Sequence, residues 1–125
     1  MSITAPINID ALPQTINMKL YIGDDFFMEL PVADKDGNPV DLAGYVAASQ
    51  VRTNANAVDI AATIDCEIDV PQSTVYVHLR SSEAMGLPGS GVWDLQIDGP
   101  RLLTLAAGTV TGVARVTRTS GTVPG

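Results

Sequence analysis

Few side chains in this 125-residue sequence could do chemistry, and their spacing limits each of them. His78 is the single histidine and Cys66 the single cysteine. A nucleophilic pair needs the base within hydrogen-bond reach of the thiol, and a third group to orient the base. Both residues lie in neighbouring runs of alternating apolar and polar residues, Cys66 in the inward phase and His78 in the outward phase. Side chains alternate across a strand, so the two point to opposite faces of a sheet, and Cys66 reads as a small core hydrophobe. Asp34-Lys-Asp-Gly-Asn-Pro39 has the composition of a calcium loop. Its glycine comes fourth rather than sixth and no glutamate follows nearby, so the segment reads as a turn in which Gly37 supplies the positive φ. Gly86, Gly89 and Gly91 precede a strand-like run rather than a helix and form no phosphate loop.

Asp65, Glu67 and Asp69 are the remaining constellation. Alternate residues on one strand face sit roughly 6.5–7 Å apart, too far for a tight metal site without ligands from another strand. A glycosidase built on such carboxylates needs a sugar cleft, and one Trp, three Tyr and two Phe are too few aromatics to line it. The expectation is a solvated face or a docking stripe for a basic partner. No catalytic residue, metal or cofactor is assigned, and the chain is expected not to be an enzyme.

The elements that must carry these residues read almost entirely as strands. Ile16, Met18 and Leu20 alternate with polar residues up to Gly23-Asp24-Asp25, and Phe26, Met28, Leu30 and Val32 share one face of the next run. Pro31 has no amide hydrogen to donate, which puts that strand at an edge or gives it a bulge. Further strands are predicted over 45–53, 60–70 and 75–80, the last two joined as a hairpin through Pro71-Gln-Ser73. Ser81–Met85 reads as one helical turn capped by Ser81 or Ser82, ended by Leu87-Pro-Gly. Trp93, Leu95 and Ile97 are predicted core, with Asp94, Gln96 and Asp98 on the solvated face; Val110, Gly112, Ala114 and Val116 form the predicted last strand. Seven or eight short strands with one helical turn imply an all-β fold, a single antiparallel β-sandwich or barrel over 15–118. Residues 1–14 contain Pro6 and Pro13 without periodicity and read as an extended arm, and 119–125 as a flexible tail. Ile3, Ile7, Ile9 and Leu12 make the arm more apolar than a solvated tail requires, so they join Asp65, Glu67 and Asp69 as candidate partner contacts.

Fourteen acidic residues against seven basic ones leave a net charge of −7, which argues against nucleic-acid binding. No stretch approaches the ~20 apolar residues of a membrane span, and the first residues lack a signal-peptide pattern, so synthesis in the cytoplasm and no membrane partner are expected. A small-molecule ligand is not expected either.

The order of the punctuation resembles the immunoglobulin-like domains of tailed-phage virion proteins, above all the N-terminal domain of the baseplate upper protein family and related minor tail proteins. The residues that carry it are Gly23-Asp24-Asp25, Asp36-Gly-Asn-Pro-Val-Asp-Leu42, Val51-Arg52 and Ser82-Glu83, then Leu87-Pro-Gly, Trp93-Asp-Leu-Gln-Ile97, Leu105-Ala-Ala-Gly-Thr-Val110 and Val116-Thr-Arg118. The resemblance spans roughly residues 16 to 118. It implies an immunoglobulin-like sandwich and a structural role in a virion, in a tail or baseplate, as a homo-oligomer among other virion proteins. A capsid decoration or head-to-tail joining protein is the alternative within the particle. A carbohydrate-binding module, with Tyr21 and Tyr76 as its exposed aromatics, is the alternative of another class.

Overall fold

The structure, a computed structural model, describes residues 6–116. Nine strands and one helical turn follow in chain order. They are β1 (Ile7–Asn8), β2 (Gln14–Thr15), β3 (Met18–Tyr21), β4 (Phe26–Ala33), β5 (Val46–Arg52), β6 (Ala62–Asp69), β7 (Thr74–Leu79), α1 (Ser81–Ala84), β8 (Gly91–Asp98) and β9 (Leu102–Val113). Hydrogen bonding runs without a break in the order β1-β4-β7-β6-β5-β8-β9-β2, with β3 also on β9.

The all-β class stands, but the arrangement differs from a plain antiparallel two-sheet sandwich of seven or eight strands. β6 is long enough to serve two neighbours: Ala62–Ile64 pair with β5, and Asp65–Asp69 pair with β7. One sheet therefore folds over itself around β6, and its ends approach each other, since β1 also touches β9. Three pairings, β1 with β4 and both β2 and β3 with β9, are parallel.

Alternation places the core. Met28, Leu30 and Val32 of β4, Val75, Val77 and Leu79 of β7, and Trp93, Leu95 and Ile97 of β8 are all buried, as their phase predicts. The Trp93 indole donates its Nε1–H to the Ile16 carbonyl at 2.7 Å, which satisfies the one polar atom of the largest core side chain. That carbonyl lies over Gly108, where a Cβ would collide with it, so β9 has glycine at the crossing. Pro31 sits as its chemistry requires. The Val32 N–H goes to Ser73 of the β7 turn, so the Pro31 nitrogen points to the opposite, outer edge, and β1 begins to pair only at Val32.

Three expectations are corrected. Residues 1–14 are not an arm outside the core throughout: Ile7 is 1% and Ile9 6% exposed, and β1 is hydrogen-bonded to β4. Burying each such side chain contributes roughly 1.5–3 kcal/mol, which outweighs the aperiodic pattern around Pro6 and Pro13. The last strand starts at Leu102 and ends at Val113, because β8 pairs along its whole length with a register shift at Leu95/Gln96 that absorbs one extra residue. Neither Ser81 nor Ser82 caps α1; Arg80 holds the cap position, and the Asp25 carboxylate accepts the Ser81 N–H at 3.1 Å.

Candidate functional site

The outer face of β4, β7 and β6 gathers the polar chemistry of the chain. Cross-strand register sets it out in rows: Phe27–His78–Asp65, Glu29–Tyr76–Glu67 and Pro31–Thr74–Asp69. Directly opposed residues in such rows have Cβ atoms about 5 Å apart, so the side chains of a row interact. The Phe27 ring stacks on the His78 imidazole with centroids 4.1 Å apart. His78 Nε2 in turn lies 3.0 Å from Asp25 Oδ1. The His78 hydrogen bond, and then that of the Ser81 amide, hold the Asp25 carboxyl below the usual carboxylate range. His78 is thereby a strut between the β3–β4 loop and β7.

The acidic members of the face are not equivalent. Asp65 is neutralised by Arg80, whose Nε lies 2.7 Å from it. Asp69 accepts the Gln72 N–H and shapes the β6–β7 turn. Glu29 and Glu67 are exposed and receive no hydrogen bond from any described residue. Between them stands Tyr76, whose phenol is pushed up first by burial and then by the charges of Asp69, Glu29 and Glu67. The result is an aromatic ring framed by carboxylates, suited to a cationic side chain of a partner.

Of the residues singled out in the sequence, Asp65, Glu67 and Asp69 do share this face, with Asp65 and Asp69 already engaged. Ile7 and Ile9 are corrected from partner contacts to core. Leu12 is 88% exposed, and Ile3 lies outside the described residues. Glu29 was not singled out. Its outward phase in β4 is readable, but only the pairing of β4 with β7 brings it to Tyr76 and Glu67. Cys66 lies opposite Val77, on the other phase from His78, and burial pushes its thiol up to about 11, with Asp65 adding to the shift. No group of three or more His, Cys, Asp or Glu among the described residues could hold a metal ion. The Asp34 carboxylate accepts the N–H groups of Asp36 and Asn38, which closes the calcium-like segment as a turn, with Gly37 at φ +85°.

No family model and no curated protein matches the chain. Among solved structures, a titin–obscurin-like 1 Ig complex shares 13% identity and a TM-score of 0.47, covering 85% of this chain and 93% of that one. A bradyzoite-specific antigen from Toxoplasma gondii shares 16% identity and a TM-score of 0.34; 85% of this chain and 45% of that one are covered.

Proposed function

We propose that this chain is a non-enzymatic structural subunit of a tailed-phage virion, an immunoglobulin-like domain of the tail or baseplate that assembles as a homo-oligomer with other virion proteins. The resemblance in motif order supports the family, and the motifs sit at structural joints. Gly23-Asp24-Asp25 ties β3 and β4 to α1, Asp36–Leu42 turns the chain after β4, and Trp93–Ile97 is the central core strand. The observation that carries the assembly role is the Glu29–Tyr76–Glu67 row, a framed aromatic with two carboxylates that the fold leaves unmatched. A basic partner surface complements it.

Charge reversal tests this reading. The double variant Glu29→Lys, Glu67→Lys changes only exposed side chains, so its melting temperature stays close to the parent's. Its copy number in purified particles, counted by quantitative mass spectrometry, is expected to fall by about an order of magnitude. Normal incorporation of the variant overturns the role of this face, and absence of the parent chain from particles overturns the virion reading. A high copy number moves the proposal from the tail to the capsid decoration alternative.

A further inference from the structure

A second depression lies on the outer face of β5, β8 and β9, away from the acidic row. Register places Gln50 opposite Asp94 and Asp94 opposite Ala107, while Gln96 faces Ala48. The floor is shallow in side chains, with Ala48, Ala107 and Gly108, and Ala55 of the following loop stands at its rim. Arg52 builds that rim. Its guanidinium donates to the Ala57 and Val58 carbonyls at 2.8 and 2.7 Å and to Gln50 Oε1 at 2.9 Å. Gln50 is thus fixed through its oxygen, and its amide N–H groups remain available to a ligand.

Asp94 is the unusual member. Carboxylates such as Asp10, Asp25, Asp34 and Glu83 each accept a backbone N–H. Asp94 is partly buried, yet among the described residues its side chain accepts no hydrogen bond and has no cation within 4.0 Å. Burial pushes its carboxyl up, and Arg52 offsets only part of that. The fold therefore holds an acceptor in a groove and supplies it with no donor, beside two amides with unused hydrogen-bonding capacity.

We infer that this groove is a binding site for a neutral polyhydroxyl ligand, a saccharide unit seated against Gln50, Asp94 and Gln96. The nearby guanidinium disfavours a cation and the carboxylate disfavours an anion, so opposite charges leave neutral ligands preferred. A carboxylate wants donors, Gln50 offers its N–H groups, and Gln96 can both donate and accept, which matches adjacent hydroxyls of a sugar. Cross-strand and same-face spacings of about 5 and 7 Å let these three side chains engage a single ring. The small floor lets the ring approach the sheet. The one aromatic among the lining residues, Trp93, is a core side chain only 3% exposed and offers no stacking platform, so binding is weak. The site stands on a different face from the assembly surface and does not depend on it.

Amide chemical-shift titration of the full chain with glucose, galactose, N-acetylglucosamine and maltotriose tests the inference. At least one sugar is expected to shift the backbone and side-chain amides of Gln50 and Gln96 and the backbone amide of Asp94, with saturation. Asp94→Ala is expected to weaken that binding by at least about tenfold, as loss of a charged acceptor does. Its melting temperature should equal or exceed the parent's, since an unmatched half-buried charge is removed. Gln96→Ala, a milder change, should weaken binding without altering the fold. Failure of all four sugars to shift these amides overturns the inference. Shifts centred on Tyr76, or shifts that persist in Asp94→Ala, overturn it equally.

Discussion

Asp25 links three parts of the molecule through one side chain. It belongs to the loop between β3 and β4, receives His78 from β7, and takes the first free N–H of α1 from Ser81. Both contacts favour the ionised form, so the folded-state pKa is depressed. The sign of the linkage follows: this stabilisation is present above the unfolded value of about 3.9 and is lost as pH falls through the lower folded value. Asp25→Asn is therefore expected to lower the urea midpoint near neutral pH, while parent and variant converge in strong acid; parallel curves across the whole range would contradict it. Asp94 has the opposite sign, because burial raises its carboxyl. Its ionisation weakens the fold as pH rises above the unfolded carboxylate value. Two aspartates of one sequence thus behave oppositely because one is given donors and the other is not. Nothing in their sequence neighbourhoods distinguishes them, since donors arrive from residues 53 and 56 positions away.

At the scale of elements, the N-terminal strands hold more of the core than their sequence suggests. Ile7 and Ile9 are buried, and so are Ile16, Met18 and Leu20 of the run that pairs alongside β9. Removal of residues 1–14 deletes the first two and both parallel partners β1 and part of β2. The expected cost is roughly 3–6 kcal/mol from the two isoleucines alone, read as a shift in chemical denaturation. A truncated chain as stable as the parent would mean that β1 contributes nothing to the fold. Strands with clean alternation, β4, β7 and β8, were legible from the sequence, as was the turn at Asp34–Pro39. The two-residue strands β1 and β2 were not, because two residues carry no period. Their presence is set by partners far along the chain, Val32 and Ala106 among them. For the candidate site, the carboxylates of β6 were legible as a stripe. Glu29 and the Asp94 groove were not, because both depend on which strands become neighbours.

For the whole molecule, the decisive element is β6, which belongs to both halves of the folded sheet. The two segments of β6 are continuous in one strand, so opening of either half frees one end of the strand that the other half holds. Thermal unfolding is expected to be one transition, with Trp93 fluorescence and far-ultraviolet dichroism coinciding; two separated midpoints would show that the halves melt independently. Charge acts at the same scale. Arg80, Arg101 and Arg115 each sit against an aspartate, and Arg52 is committed to carbonyls and Gln50, so the described surface faces its surroundings as an acid. The seam between the sheet's ends has a consequence in time as well as in space. β3 finds its partner only in β9, and the Ile16 carbonyl finds its donor only in Trp93. A ribosome releases the amino end first, at about 5–20 residues per second, so Ile16, Met18 and Leu20 wait on the order of ten seconds for the strand that will cover them. During that interval the antiparallel set β4, β7 and β6 can close while the first-made strands remain an adhesive apolar end. The newborn chain is then open to wrong partners, and the exposure of these side chains ends only when β9 arrives.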